Sequence, residues 1–235
     1  TRTMYGTDSY PLTANIINTV HFSFMLFLLM IAIFYGGELV WRERDRKMNE
    51  IIDSTPVADW IMFVPKILAI FLVLLLVNLC GVVTGVGIQL AQGSTDFSLS
   101  QYFLWFLLPS TIDALLLAAL SVFFQIVSPN KYVGWALMII WFVVGIFLNN
   151  MGFSNELYHY GSVFPEPLSD MNGTGGFWVG SAWLRFYWFC VAVVLLVFAH
   201  LMWPRGTVTA FAPRLKNIGK RIGVNSASLA ALGMV

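Results

Sequence analysis

Charge is scarce in this chain. Only 11% of its 235 residues are Asp, Glu, Lys or Arg, where a soluble domain carries about 25%, and 58% are hydrophobic. Such a sequence cannot cover itself in water, so lipid must do part of the covering. Neither sign is in excess: 13 basic against 12 acidic side chains leave a net charge of +1, which denies a nucleic acid any electrostatic footprint. The same apolar weight argues against disorder. Cysteine is almost absent. Cys80 and Cys190 lie in separate apolar runs without C-x-x-C spacing, a pattern that points to neither a disulfide framework nor a zinc motif, and both read as apolar filler. No G-x-x-x-x-G-K-[ST] occurs, so the backbone cradle and phosphate-binding lysine of a nucleotide site are missing. Alternating ten-residue segments do not recur either, which argues against a membrane β-barrel.

What the sequence does have is long apolar runs. Four, at about 20–40, 60–90, 102–127 and 132–151, reach the length of roughly 20 residues that an α-helix needs to cross hydrocarbon, and a fifth follows at 182–203. The fold class is therefore an all-α polytopic membrane protein. The second run is longer than one crossing needs and has to tilt or protrude; its Gly81, Gly85 and Gly87 suit close helix contact. Basic residues fix an orientation. Arg42, Arg44, Arg46, Lys47, Lys66, Lys131, Arg205, Arg214, Lys216, Lys220 and Arg221 fall on one side, and only Arg2 and Arg185 on the other. By the positive-inside rule the first group is cytoplasmic, which puts residues 1–19 outside and the tail from 204 to 235 inside a cell inner (plasma) membrane. An external start leads us to expect a sixth span upstream of Thr1. Trp60, Trp105, Trp178, Trp183 and Trp203 fall near the ends of the runs, where interfacial aromatics concentrate.

The densest polar information lies between the first two runs, from Leu39 to Asp59. At helical spacing Met48, Ile51, Ile52 and Thr55 gather on one face. Glu43 with Lys47, and Arg46 with Glu50, pair at i,i+4 on the other. Pro56 stops the pattern. A helix over about 42–55, lying at the cytoplasmic surface, is what this spacing predicts. It is either a positive-inside anchor in the headgroups or a docking element whose apolar face enters a groove on a cytoplasmic protein.

Glu43-Arg44, then Glu50, the pair Ile51-Ile52, Pro56 and, ten residues on, Lys66 together resemble the coupling-helix region of type-two ABC exporter permeases, which often read E-R-E-R-G-T-x-E-x-L-L-x-x-P followed by G-K. Lys47 and Met48 stand where that pattern has Gly and Thr, and Val64-Pro65 precede Lys66 where Gly is usual. With Pro129 to Gly134 and the Trp203-Pro204-Arg205-Gly206 exit, residues 15–210 are most similar to a bacterial subgroup fused to a zinc aminopeptidase domain. The resemblance implies a six-helix unit, of which five helices are visible here, paired with a second permease half as a homodimer or fused repeat. It implies a cytoplasmic ATP-binding subunit that supplies ATP and Mg, with no cofactor in this chain. Glu43, Arg44, Arg46, Glu50, Ile51, Ile52 and Pro56 would couple to that subunit.

Asp113 is the one carboxylate deep inside an apolar run, which makes it a functional candidate. A blander arrangement is preferred here: Pro109-Ser110-Thr111 begins a helix, and Asp113 sits in its first turn at the positive dipole end. Asn149 and Asn150 open the long outer loop, about 152–181, and are further candidates for the pathway. Lys66 and Glu38 read as boundary residues. Glu156 and His159 have the i,i+3 spacing of a metal-ligand pair, but no further ligands accompany them and no metal site is expected. Phe164, Phe177 and Trp178 would suit a loop that re-enters the membrane. No catalytic set is visible, and no enzymatic activity is expected of this chain. The expected function is substrate movement by alternating access; an anchor or regulatory module for a fused peptidase stays open, and a channel or ion-coupled transporter falls behind for want of intramembrane charges.

Overall fold

The computed structural model describes residues 13–55, 59–93, 99–153, 155–164 and 176–203. Regular structure among them is helical throughout. The elements are α1 (Thr13–Asp45), α2 (Asn49–Asp53), α3 (Asp59–Ala91), α4 (Leu99–Val127), α5 (Lys131–Asn150) and α6 (Phe177–Leu201). All but α2 are long and apolar enough to cross a membrane. Both α1 and α3 run for 33 residues, roughly 50 Å at 1.5 Å per residue, so each extends past a hydrocarbon core of about 30 Å. The crossing helix α1 starts earlier than the hydropathy run and carries Arg42, Glu43 and Arg44 in its last turns.

Side-chain contacts fix how the helices alternate. The end of α1 meets the start of α3 through a Glu43–Lys66 ion pair and the start of α5 through Asp45 and Lys131, 2.5 Å apart. Phe63 near the start of α3 stacks edge-on against Trp203 just past α6, centroids 5.7 Å apart. Trp41 Nε1 donates to Gln125 Oε1 near the end of α4 at 3.1 Å. One end of the bundle therefore gathers six of the seven described Lys and Arg residues. The seventh is Arg185.

At the centre stands α4. Its Ala114, Ala118, Val122 and Ile126 pack with Ala32, Ile70, Leu74 and Ala199 from α1, α3 and α6. Lipid is as apolar as a leucine, so burial alone does not hold membrane helices together; small side chains matter because they allow close approach. Ser121 Oγ donates to the Ala32 carbonyl at 2.6 Å. Gly36 makes room for it, since a Cβ there would run into that hydroxyl. At the far end Tyr102 donates to Gln89 Oε1, and Gln89 Nε2 donates to Thr13 Oγ1, each at 3.0 Å. The rings of Tyr102 and Phe106 lie over Gly85 and Gly81, whereas Gly87 faces open space. Two of the three glycines in α3 thus serve close contact, against aromatic rings.

Pro109 does not begin a helix. The chain is already helical from Leu99, and a π-turn over Tyr102–Leu107 ends one residue short of the proline, with Leu108 N–H donating to Phe103 O. Widening the turn to i→i+5 lets the helix pass a residue that has no N–H of its own.

Candidate functional site

The basic end holds the residues that the sequence pattern singles out. In place of one helix over 42–55, the chain breaks at Lys47, whose φ of 56° is left-handed. Met48 N–H reaches Glu43 O at 2.8 Å and Lys47 N–H reaches Arg44 O at 3.0 Å, the two reverse bonds of a Schellman ending. Left-handed backbone favours glycine, and Lys47 stands where the resembling pattern has glycine. The polypeptide then re-enters the short helix α2. Glu43 is held by Lys66, and Arg44 lies over the Trp41 ring, 5.8 Å from its centroid. Lys66, expected as a boundary residue, also sits 5.0 Å from the centre of the Trp203 ring. Arg46 and Glu50 are exposed. Of the apolar pair, Ile51 is 68% exposed and Ile52 only partly so, with Met48 at 47% beside them. Hydroxyls of Ser54 and Thr55 donate to the Ile51 and Ile52 carbonyls at 2.7 and 2.6 Å, closing α2. Pro56 lies outside the described residues.

Asp113 is midway along α4, so its side chain is not in a first helical turn and the preferred helix-start arrangement is replaced. Its partner comes from another helix: Arg185 Nε donates to Asp113 Oδ1 at 3.3 Å, with the two side chains 13% and 29% exposed respectively. Arg185 lies about 12 Å along α6 from its start, inside the apolar run and not on its flank. The pair stands between two spaces. Arg185 lines a largely apolar crevice between α4 and α6 with Trp105, Trp178 and Phe186. Asp113 lines a cavity of about 630 Å³ between α1, α3, α4 and α5.

That cavity is closed on one side by the segment 155–164. Asn155 Oδ1 accepts from Leu157 N–H at 3.0 Å and starts a single 3₁₀ turn. The Glu156 carboxylate accepts from the Ser162 hydroxyl, and Trp188 Nε1 donates to the Ser162 carbonyl at 2.9 Å. Tyr160 reaches further in. It packs edge-on against Trp188 and Trp141, and its hydroxyl donates to the Leu116 carbonyl of α4 at 3.1 Å. Burial pushes the Tyr160 phenol well above its ordinary pKa, so it remains a donor. Phe164, Phe177 and Trp178 are more than half exposed on the outside of the bundle, the latter two in the first turn of α6, and from this segment it is Tyr160 that reaches inward. Asn149 lines the cavity mouth, while Asn150 is exposed. His159 Nε2 lies 2.9 Å from the Phe153 carbonyl, and among the described residues no three of His, Cys, Asp and Glu converge as a metal site would need.

Three participants escaped the sequence: Arg185, Tyr160 and Asn78. Asn78 is wholly buried on α3 and donates through Nδ2 to the Ser110 carbonyl at 3.2 Å. The available signal was positional, an arginine or an amide well inside an apolar run. The architecture defines a multi-pass helical membrane bundle. Compared with family models, curated proteins and solved structures, the chain matches none.

Proposed function

We propose that this chain is the transmembrane permease region of an ATP-driven ABC exporter, with α2 as the element that couples it to a cytoplasmic ATP-binding subunit. The observation that carries this reading is the mounting of α2. It hangs between the two 33-residue helices, its apolar Met48 and Ile51 uncovered, while the adjoining helix end is tied to α3 through Glu43–Lys66 and to α5 through Asp45–Lys131. A displacement applied to α2 would move three spans together, as a rigid-body transition requires. Glu43 and Arg44 hold the lever, and Arg46, Glu50, Ile51 and Ile52 present its working surface. A turn at Lys47 that favours glycine adds support, because the resembling pattern has glycine there. The cavity beside Asp113 favours transport over a mere membrane anchor, which has no use for one. In this reading the basic end faces the cytoplasm, a second permease half completes the pathway, and ATP and Mg belong to the partner.

The test is Ile51→Asp in the full polypeptide, purified in mild detergent, with any co-purifying ATP-binding subunit identified by mass. Membrane insertion should persist, because Ile51 lies outside every span, while recovery of the ATPase falls. Equal recovery of the ATPase with the variant would reduce α2 to a headgroup anchor.

A further inference from the structure

The cavity beside Asp113 contains two polar atoms with no partner. Asn78 Oδ1 and Ser110 Oγ belong to residues 0% and 2% exposed, neither atom makes a hydrogen bond, and both residues line the cavity. The Asn78 amide is oriented by its bond to the Ser110 carbonyl, which leaves the acceptor end over. Buried polar atoms are rarely left unpaired, since an orphan acceptor destabilises the fold. Two adjacent ones in a cavity indicate that something else completes them. The volume, about 630 Å³, falls in the range of roughly 300–1,000 Å³ typical of small-molecule sites.

The walls limit what that partner can be. Phe24, Leu28, Phe106, Trp141 and Phe142 supply an apolar, aromatic surface. Asp113, Glu156, His21 and His159 are among the described lining residues, and no described lysine or arginine is. An anionic head would face the Asp113 and Glu156 carboxylates, and the Arg185 guanidinium behind Asp113 is already paired with it. An acceptor-only head would leave Asn78 Oδ1 unpaired.

We propose that this cavity binds an uncharged or cationic amphiphile, whose N–H or O–H groups donate to Asn78 Oδ1 and Ser110 Oγ while its apolar body lies against the aromatic wall. The assignment does not rest on coupling to an ATPase, because binding requires neither ATP nor α2. It is tested on the purified chain in lipid nanodiscs without nucleotide, using tritiated 4-phenylbutylamine, its N-trimethyl counterpart, which has no N–H, and the anionic 4-phenylbutyrate. The amine should bind saturably above empty nanodiscs, about ten- to a hundredfold more tightly than the trimethyl compound, as two hydrogen bonds would give. The carboxylate should not bind. Ser110→Ala and Asn78→Leu should each weaken the amine about three- to tenfold, the two together should bring it down to the affinity of the trimethyl compound, and none of these changes should move the latter. Gly145→Phe provides an independent check that touches neither polar atom. Gly145 lines the cavity, and a Cβ there meets only His159 Nδ1, at 3.7 Å, so the ring has room to fill the space and should abolish binding of both compounds in a bundle of unchanged melting temperature. Equal affinity for amine and trimethyl compound, or amine binding indifferent to Ser110→Ala, would overturn the proposal. So would uptake no greater than that of empty nanodiscs.

Discussion

Breaking the pair between Asp113 and Arg185 gives the sharpest measure of what holds α6 to α4. Two unit charges about 4 Å apart interact by about 4 kcal/mol at an effective dielectric of 20. Two features of this pair reduce that figure. The contact is single, through Nε at 3.3 Å and not through a two-pronged fork, and the Asp113 side chain is 29% exposed, so screening removes a further share. A coupling energy of about 2 kcal/mol is expected, roughly a thirtyfold effect on an equilibrium. The assay is a double-mutant cycle with Asp113→Asn, Arg185→Met and both together, read by reversible unfolding in detergent. Each single change should cost stability by leaving one member of the pair without the other, and the double variant should recover much of the loss. The competing picture, Asp113 as a helix-start residue, predicts something different. Asparagine serves that end nearly as well as aspartate, the cost stays under about 1 kcal/mol, and Arg185→Met adds independently. A coupling below about 0.5 kcal/mol would refute the argument made here.

Three further outcomes are expected. Lys47→Gly should raise stability by about 0.5–1 kcal/mol, because glycine adopts the left-handed turn without a Cβ penalty; a lower melting temperature would mean the turn is not populated in the membrane. Gly36→Ala should cost about 1–3 kcal/mol, since its methyl displaces the Ser121 hydroxyl from its bond to Ala32, and Ser121→Ala in the same chain should restore part of that loss in the same melting assay. A cysteine at Ser54 should resist an impermeant reagent in intact cells, whereas one at Ser9 or Ser169 should react. Labelling of Ser54 from outside would invert the proposed orientation.

The spans were legible because hydropathy summed over twenty residues is a strong signal, insensitive to how helices pack. Their ends were less so: α1 extends to Asp45 because its charged last turns continue the backbone bonding beyond the apolar run. The surface helix was visible as a pattern of faces, but its break at Lys47 was not, since lysine carries no local preference for a left-handed turn and the ending is set by backbone bonds to Glu43 and Arg44. Asp113 was recognisable as unusual and then misjudged. Proline ordinarily marks a helix start, and here the π-turn before it keeps the helix going. Its partner Arg185 is 72 positions away on another helix, a relation no local spacing encodes. Tyr160 was hidden for the same reason: whether a loop tyrosine points to water or to the Leu116 carbonyl depends on the packing of three helices around it.

The tethers at the two ends of α1 and α3 also set a length. Between Lys66 and Gln89 α3 rises roughly 35 Å, while between Thr13 and Glu43 α1 rises roughly 45 Å; yet Thr13 bonds Gln89 and Glu43 pairs with Lys66. Two rods joined at both ends by side chains leave a surplus of roughly 10 Å in α1, which tilt and the reach of the lysine and glutamate stems together absorb. The shorter rod then acts as a ruler. Its tethers are a few ångströms further apart than a hydrocarbon core of about 30 Å is thick, so a bundle crossing such a core upright would hold both polar layers at the headgroups. A thicker bilayer would draw the tethers into acyl chains, and a thinner one would tip the whole bundle.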